Sequence, residues 1–128
     1  MHALRRIHAA LVPGGIVVDT QPVSPQPLVE AGAVRLGALD MREWKRTIDA
    51  VDARLAVALD EGLFAVEDER ACVVADEFDS GAELVEVAGG WKGTRVPAAL
   101  VERAVGAPPP VRVLQDVRLR LLRALPSG

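Results

Sequence analysis

The sequence predicts an α/β domain: a small mixed sheet of three or more strands with helices on its faces. Three segments carry that expectation. Ile16-Val17-Val18 is a short β-branched run entered through Pro13-Gly14-Gly15, Asp40 to Gly62 is a long amphipathic helix, and Val111 to Leu122 alternates apolar and charged residues with the period of a strand. At 128 residues, half of them hydrophobic, the chain suits one domain over 1–128. A domain of that size buries about two-thirds of the surface its unfolded chain exposes, so no disulfide or metal is needed to hold it together.

The elements follow in order. Leu4, Ile7 and Leu11 share one side of the stretch from His2 to Leu11 and Arg5 and Arg6 the other, which predicts a helix that Pro13-Gly14-Gly15 stops. Ile16-Val17-Val18 does not alternate, so this first strand is expected to be covered on both faces and parallel-type. Pro22, Pro25 and Pro27 forbid helix and make the stretch from Thr20 an extended excursion. Leu28 to Leu36, centred on Gly32, reads as a small hairpin. Asp40 and Glu43 have capping-box spacing ahead of Trp44, Ile48, Val51, Leu55 and Leu59, which fall on one helical face. A strand is expected around Cys72-Val73-Val74 and on to Phe78. Ser80 and Glu83 repeat the capping spacing and open a short helix ending at Gly89-Gly90. Pro97 fits the first turn of a further helix through Val105, and Pro108-Pro109-Pro110 enforces an extended entry to the last strand. There Val111, Val113, Val117, Leu119 and Leu121 share the core side, while Arg112, Asp116, Arg118 and Arg120 face water, an antiparallel pattern.

Charge is segregated along the chain. Between Asp60 and Glu86 there are ten acids and one base, Arg70; from Lys92 to Arg123 there are seven bases and two acids. Neighbouring antiparallel strands explain this best, because opposite charges facing each other across a ladder attract. Exposed pairs of that kind contribute about 0–1 kcal/mol, so reversing Arg118 or Arg120 is expected to cost little. The net charge of -3 and the four aromatic residues, Trp44, Phe64, Phe78 and Trp91, argue against nucleic acid as a partner. No apolar run approaches the length of a membrane span, so no membrane role is expected. With a lone cysteine and no signal-peptide pattern, the chain reads as cytoplasmic.

Little in the sequence points to chemistry. His2 and His8, six residues apart, lie about 240° apart around a helix and do not converge on a metal. Cys72 among β-branched neighbours reads as a buried structural cysteine. Glu67-Asp68-Glu69 and Asp76-Glu77 lack the tight glycine turn of a calcium loop, so a solvated edge paired with arginines is the better reading. No catalytic, cofactor-binding or metal-ligating residue is assigned.

The stretch from Ala3 to Asp19, with its helix, Leu11-Val12-Pro13-Gly14-Gly15 turn and apolar strand, resembles the helix, turn and fifth strand of class I S-adenosylmethionine-dependent methyltransferases. Phe78-Asp79-Ser80-Gly81-Ala82-Glu83-Leu84 is similar to the segment leaving that family's sixth strand, and the order of elements matches its C-terminal half. The resemblance implies that the cofactor-binding half lies upstream of Met1, so that the chain itself binds no S-adenosylmethionine. It places Asp19 where family members sometimes line the substrate side. The residue chemistry alone reads Asp19 as a strand-end carboxylate capping the turn through Thr20 and Gln21.

Function follows as a set of expectations. The first is a non-catalytic, methyltransferase-derived domain acting through self-association or a protein partner. The alternatives are an accessory subunit completing a methyltransferase with another polypeptide, and a small-molecule binding module using a cleft beside Thr20 to Leu39. In the family the strand matching Ile16, Val17 and Val18 has a neighbour that is missing here. Its open edge is therefore expected to be the interface of a homodimer, unless the hairpin or another protein covers it.

Overall fold

The protein's structure, a computed structural model, describes residues 2–126. The side chain of His2 lies outside the described set, and with it half of the His2/His8 pair considered above. The elements are α1 (His2–Ala10), β1 (Ile16–Pro22), β2 (Leu28–Ala31), β3 (Val34–Ala38), α2 (Arg42–Asp60), β4 (Phe64–Phe78), α3 (Gly81–Gly89), α4 (Ala98–Val105) and β5 (Val111–Ala124). They form an α/β arrangement around a five-stranded sheet in which β5 pairs with β1, β2 and β4, and β2 pairs with β3. No described helix is long and apolar enough to cross a membrane.

All strand pairings are antiparallel, which corrects the parallel-type first strand. β1 alternates in burial, with Ile16 and Val18 exposed at 46% and 60% and Val17 half-buried, so only one face is covered. A non-alternating run of β-branched residues records strand propensity and not burial on both faces. The hairpin takes its expected place: β2 and β3 join through Gly32-Ala33, with Gly32 at φ +59 and no positive φ at Ala33. It lies on β5 over Val111–Leu114 and does not cover the edge of β1. The start of β4 meets the end of β5, where Leu125 N–H donates to Leu63 O, so the acidic and basic strands are antiparallel neighbours as expected.

The chain divides into two compact units, one comprising residues up to Gln21, Thr47–Ala71 and Arg118 onward, the other Pro22–Arg46 and Cys72–Val117. In the first, Leu55, Ala58, Phe64, Leu122 and Ala124 form the core, with Leu4, Leu11 and Val17 against it. The buried side of β5 here is the even-numbered one. That corrects the expectation that Leu119 and Leu121 point inward and Arg118 and Arg120 outward. A charged side chain enters a half-buried position when a partner of opposite sign waits there, and Asp52 on α2 supplies it.

In the second unit, Val29, Leu36, Leu39, Met41, Phe78, Leu84, Ala88, Leu100, Ala104, Val111 and Val113 are buried together. Here the odd-numbered residues of β5 face inward, as the alternation predicted. Ser80 caps α3 by accepting from Glu83 N–H at 3.1 Å, and Gly90 ends it. Asp40 sits two residues ahead of α2 and accepts from Arg42 N–H at 3.1 Å, a local turn bond one step removed from the capping-box register. The proline-rich excursion is tied down by Val23 N–H to Asp116 O, Met41 N–H to Pro25 O and Leu39 N–H to Pro27 O. Cys72 is exposed, which corrects its assignment to the core. β4 buries only its ends, Phe64 and Phe78, so the β-branched residues beside Cys72 lie at the surface.

Candidate functional site

Three of the four aromatic residues gather in the second unit. Trp44, on the first turn of α2, donates its indole N–H to Pro22 O at 3.3 Å and so joins the helix to the proline-rich segment. The two glycines that end α3 release the chain into Trp91, whose ring stands 6.4 Å from that of Phe78 at a tilt of 49°. Pro22, Met41 and the two indoles wall a cleft of about 490 Å³, and Asp76, Lys92 and Gln115 supply its polar groups. A largely apolar cleft of this size with a few polar side chains is the usual form of a small-molecule site.

Gln115 is the most informative of these. It is 8% exposed, the one buried polar residue among those described, and its side chain has no hydrogen-bond partner among them. It follows Val111 and Val113 at inward-facing positions of β5, where an apolar side chain would fill the space without loss. Its amide atoms are not sealed off: the buried side-chain atom without a partner among the described residues is Arg118 Nε, and the Gln115 amide stays open to the cleft. Asp76, half-buried near the end of β4, and Lys92, exposed after α3, also lack side-chain partners among the described residues. The sequence signal was a glutamine at a core register of a valine strand. Nothing in the sequence, however, showed that Trp44 and Trp91 line one cleft with it.

A second polar site lies in the first unit, where the charges answer one another and Arg118 Nε alone is buried without a partner among the described residues. Arg118 forms a two-pronged pair with Asp52 at 2.8 and 2.9 Å, while Arg120 bridges Asp19 at 2.7 Å and Asp52 at 2.9 Å. The Arg118 guanidinium holds the Asp52 carboxyl below the usual carboxylate range, and Asp52 in turn raises Arg118. Asp19 also accepts from the Gln21 amide at 3.1 Å. Its main partner is thus Arg120, across the ladder from β1, rather than the turn it was expected to cap. Two carboxylates matched by two guanidiniums make a structural cluster. Arg118 and Arg120 are only 18% and 11% exposed, which corrects the expectation that they form exposed pairs.

The acidic and basic strands pair, yet most of their charges do not meet each other. Arg112 joins Glu30 of β2 at 2.6 Å, opposite it in register, and Arg123 is the base of β5 that reaches the acidic block, at Glu67. In a groove of about 290 Å³ lined by Asp40, Arg42, Arg46 and Arg95, the Arg42 guanidinium holds the Asp40 carboxyl at about 2. A carboxylate ionised so firmly is a poor proton carrier near neutral pH. No group of His, Cys, Asp and Glu suited to a metal ion occurs among the described residues.

The residues expected at an interface lie together on β1. Ile16 and Val18 are exposed, Val17 packs on the core of its unit, and β5 is the one strand that pairs with β1 among those described. No protein-family model matches the chain, and no curated protein and no solved structure matches it significantly.

Proposed function

We propose that this chain is a non-catalytic binding domain related to the distal half of class I methyltransferases, and that the cleft between Trp44 and Trp91 holds its small-molecule ligand. The observation that carries the ligand reading is Gln115, a residue 8% exposed whose amide has no protein partner among the described residues and opens onto the wall of an aromatic cleft. The cleft lies beside the proline-rich excursion through Pro22, the position considered from the sequence. The order of elements and the antiparallel pairing of β4 with β5 support the methyltransferase relationship.

Both tryptophans of the chain line the cleft, so intrinsic fluorescence reports on it directly. Titration with a panel of small polar and aromatic fragments is expected to give saturable changes that Gln115→Leu weakens. A panel that leaves the emission unmoved at millimolar concentration refutes the ligand reading. Calorimetry with S-adenosylmethionine tests the non-catalytic part, since a dissociation constant in the low micromolar range would overturn it.

A second reading, self-association as a homodimer, is favoured by the exposed apolar edge of β1. Light scattering is expected to show a dimer that Val18→Lys dissociates. Val18 is the better probe than Val17, which packs on the core. A monomer at high micromolar concentration refutes this reading, and a dimer unaffected by the substitution moves the interface away from Ile16–Val18.

A further inference from the structure

We infer that the ligand of the indole cleft is a small zwitterion carrying a methylated ammonium group; this rests on the reading of the cleft as a ligand site. The walls and the charges point the same way. Trp44 and Trp91 line the cleft, and indole rings attract cations through the ring quadrupole more strongly than other aromatic side chains do. Asp76 adds a half-buried carboxylate and Lys92 an ammonium, and neither has an ion-pair partner among the described residues. In the charge cluster of the other unit, by contrast, each carboxylate is answered by a guanidinium. A neutral ligand would cover Asp76 and leave its charge unanswered, and a simple cation or anion would answer only one of the two groups. A ligand with both charges answers both and leaves the net charge of the site unchanged.

The number of donors selects among ammonium groups. A primary ammonium brings three N–H groups that each need an acceptor, and among the side chains lining the cleft the acceptors are the Asp76 carboxylate and the Gln115 carbonyl, set against Pro22, Met41 and the indoles. A trimethylammonium has no N–H to satisfy and presents methyl groups to those walls while keeping its charge for Asp76 and the indoles. The Gln115 amide N–H₂ and the flexible Lys92 ammonium are then available to the ligand's carboxylate. The cleft, at about 490 Å³, is within the ordinary range for small-molecule sites.

The experiment compares three compounds by fluorescence and calorimetry on the full chain. These are 4-(trimethylammonio)butanoate, its uncharged-carbon isostere 5,5-dimethylhexanoate, and choline. The zwitterion is expected to bind about tenfold or more tighter than the isostere, the size of one desolvated cation contact with indole. Asp76→Asn is expected to weaken the zwitterion and choline but not the isostere, and Lys92→Met to weaken the zwitterion and isostere but not choline. Both side chains are outside the core, so the variants keep the fold. An isostere that binds as tightly as the zwitterion overturns the ligand class while leaving the cleft as a site. If none of the three changes tryptophan emission but other fragments do, the ligand class again falls alone. If no compound of any kind does, the cleft reading falls with it.

Discussion

Adding one methyl group at either end of α3 should move stability in opposite directions. Gly81 and Gly89 bound the same helix, and replacing a helical glycine by alanine ordinarily stabilises by about 0.5–1 kcal/mol through backbone entropy. At Gly89 a Cβ meets nothing within 4 Å, so the full gain is expected. At Gly81 the same Cβ would stand 1.7 Å from the carbonyl oxygen of Ala104 and 2.2 Å from its carbon. The obstacle is the backbone of α4, which cannot rotate aside. Reaching even 3.0 Å from that oxygen requires a separation of 1.3 Å (3.0 less 1.7). Leu84, Ala88, Leu100 and Ala104 are each 2% exposed or less, so opening that contact loosens a filled core. Overpacking of this kind costs about 1–3 kcal/mol and occasionally more, which outweighs the entropic gain. Gly81→Ala is therefore expected to destabilise by about 2–3 kcal/mol and Gly89→Ala to stabilise by about 0.5–1 kcal/mol. Urea unfolding followed by circular dichroism, with a shared m-value, measures both. Two changes of the same sign, or a Gly81→Ala protein within about 0.5 kcal/mol of the parent, would refute the close approach of α3 and α4.

Asp52→Asn should cost about 1–3 kcal/mol at neutral pH, because Arg118 and Arg120 would keep their charge at half-buried positions with less to answer it. Its folded carboxyl is held below the ordinary value, chiefly by Arg118, so the stability it lends is complete above the unfolded value of about 4 and is lost as pH falls through the lower folded value. Acid titration of the urea midpoint should fall less steeply below pH 4 in Asp52→Asn than in the parent, and parallel curves would contradict the assignment. Gln115→Met, nearly equal in volume, should change stability by less than about 1 kcal/mol, because the amide makes no bond to the described residues and opens onto the cleft. A loss of more than about 1 kcal/mol in thermal or urea unfolding would mean that the amide is bonded in the free protein.

What was legible in the sequence was local. Ser80 with Glu83, Gly32 in its hairpin and the helical spacing from Trp44 to Leu59 act within a few residues, and each appears where the spacing put it. The misread positions share a different cause. Ile16-Val17-Val18 carries strand propensity, but whether one face or two are covered depends on which elements pack there. Cys72 has apolar neighbours in a strand whose middle nothing covers. Arg118 and Arg120 look solvent-facing by alternation alone, because their partners Asp19 and Asp52 are far away along the chain.

The sequence by itself determined the order and kind of elements, since periodicity, caps and glycine turns are short-range properties of the backbone and its nearest side chains. The segregated charges also pointed to the acidic and basic strands as neighbours, which they are, although most of the opposite charges find partners elsewhere. Only the tertiary structure decided which side of β5 is buried in each unit and which arginine meets which carboxylate. It alone brought Trp44, Trp91 and Gln115 to one cleft from α2, the end of α3 and β5. Those outcomes depend on close packing between residues tens of positions apart, where a shift of one residue exchanges the two faces of a strand.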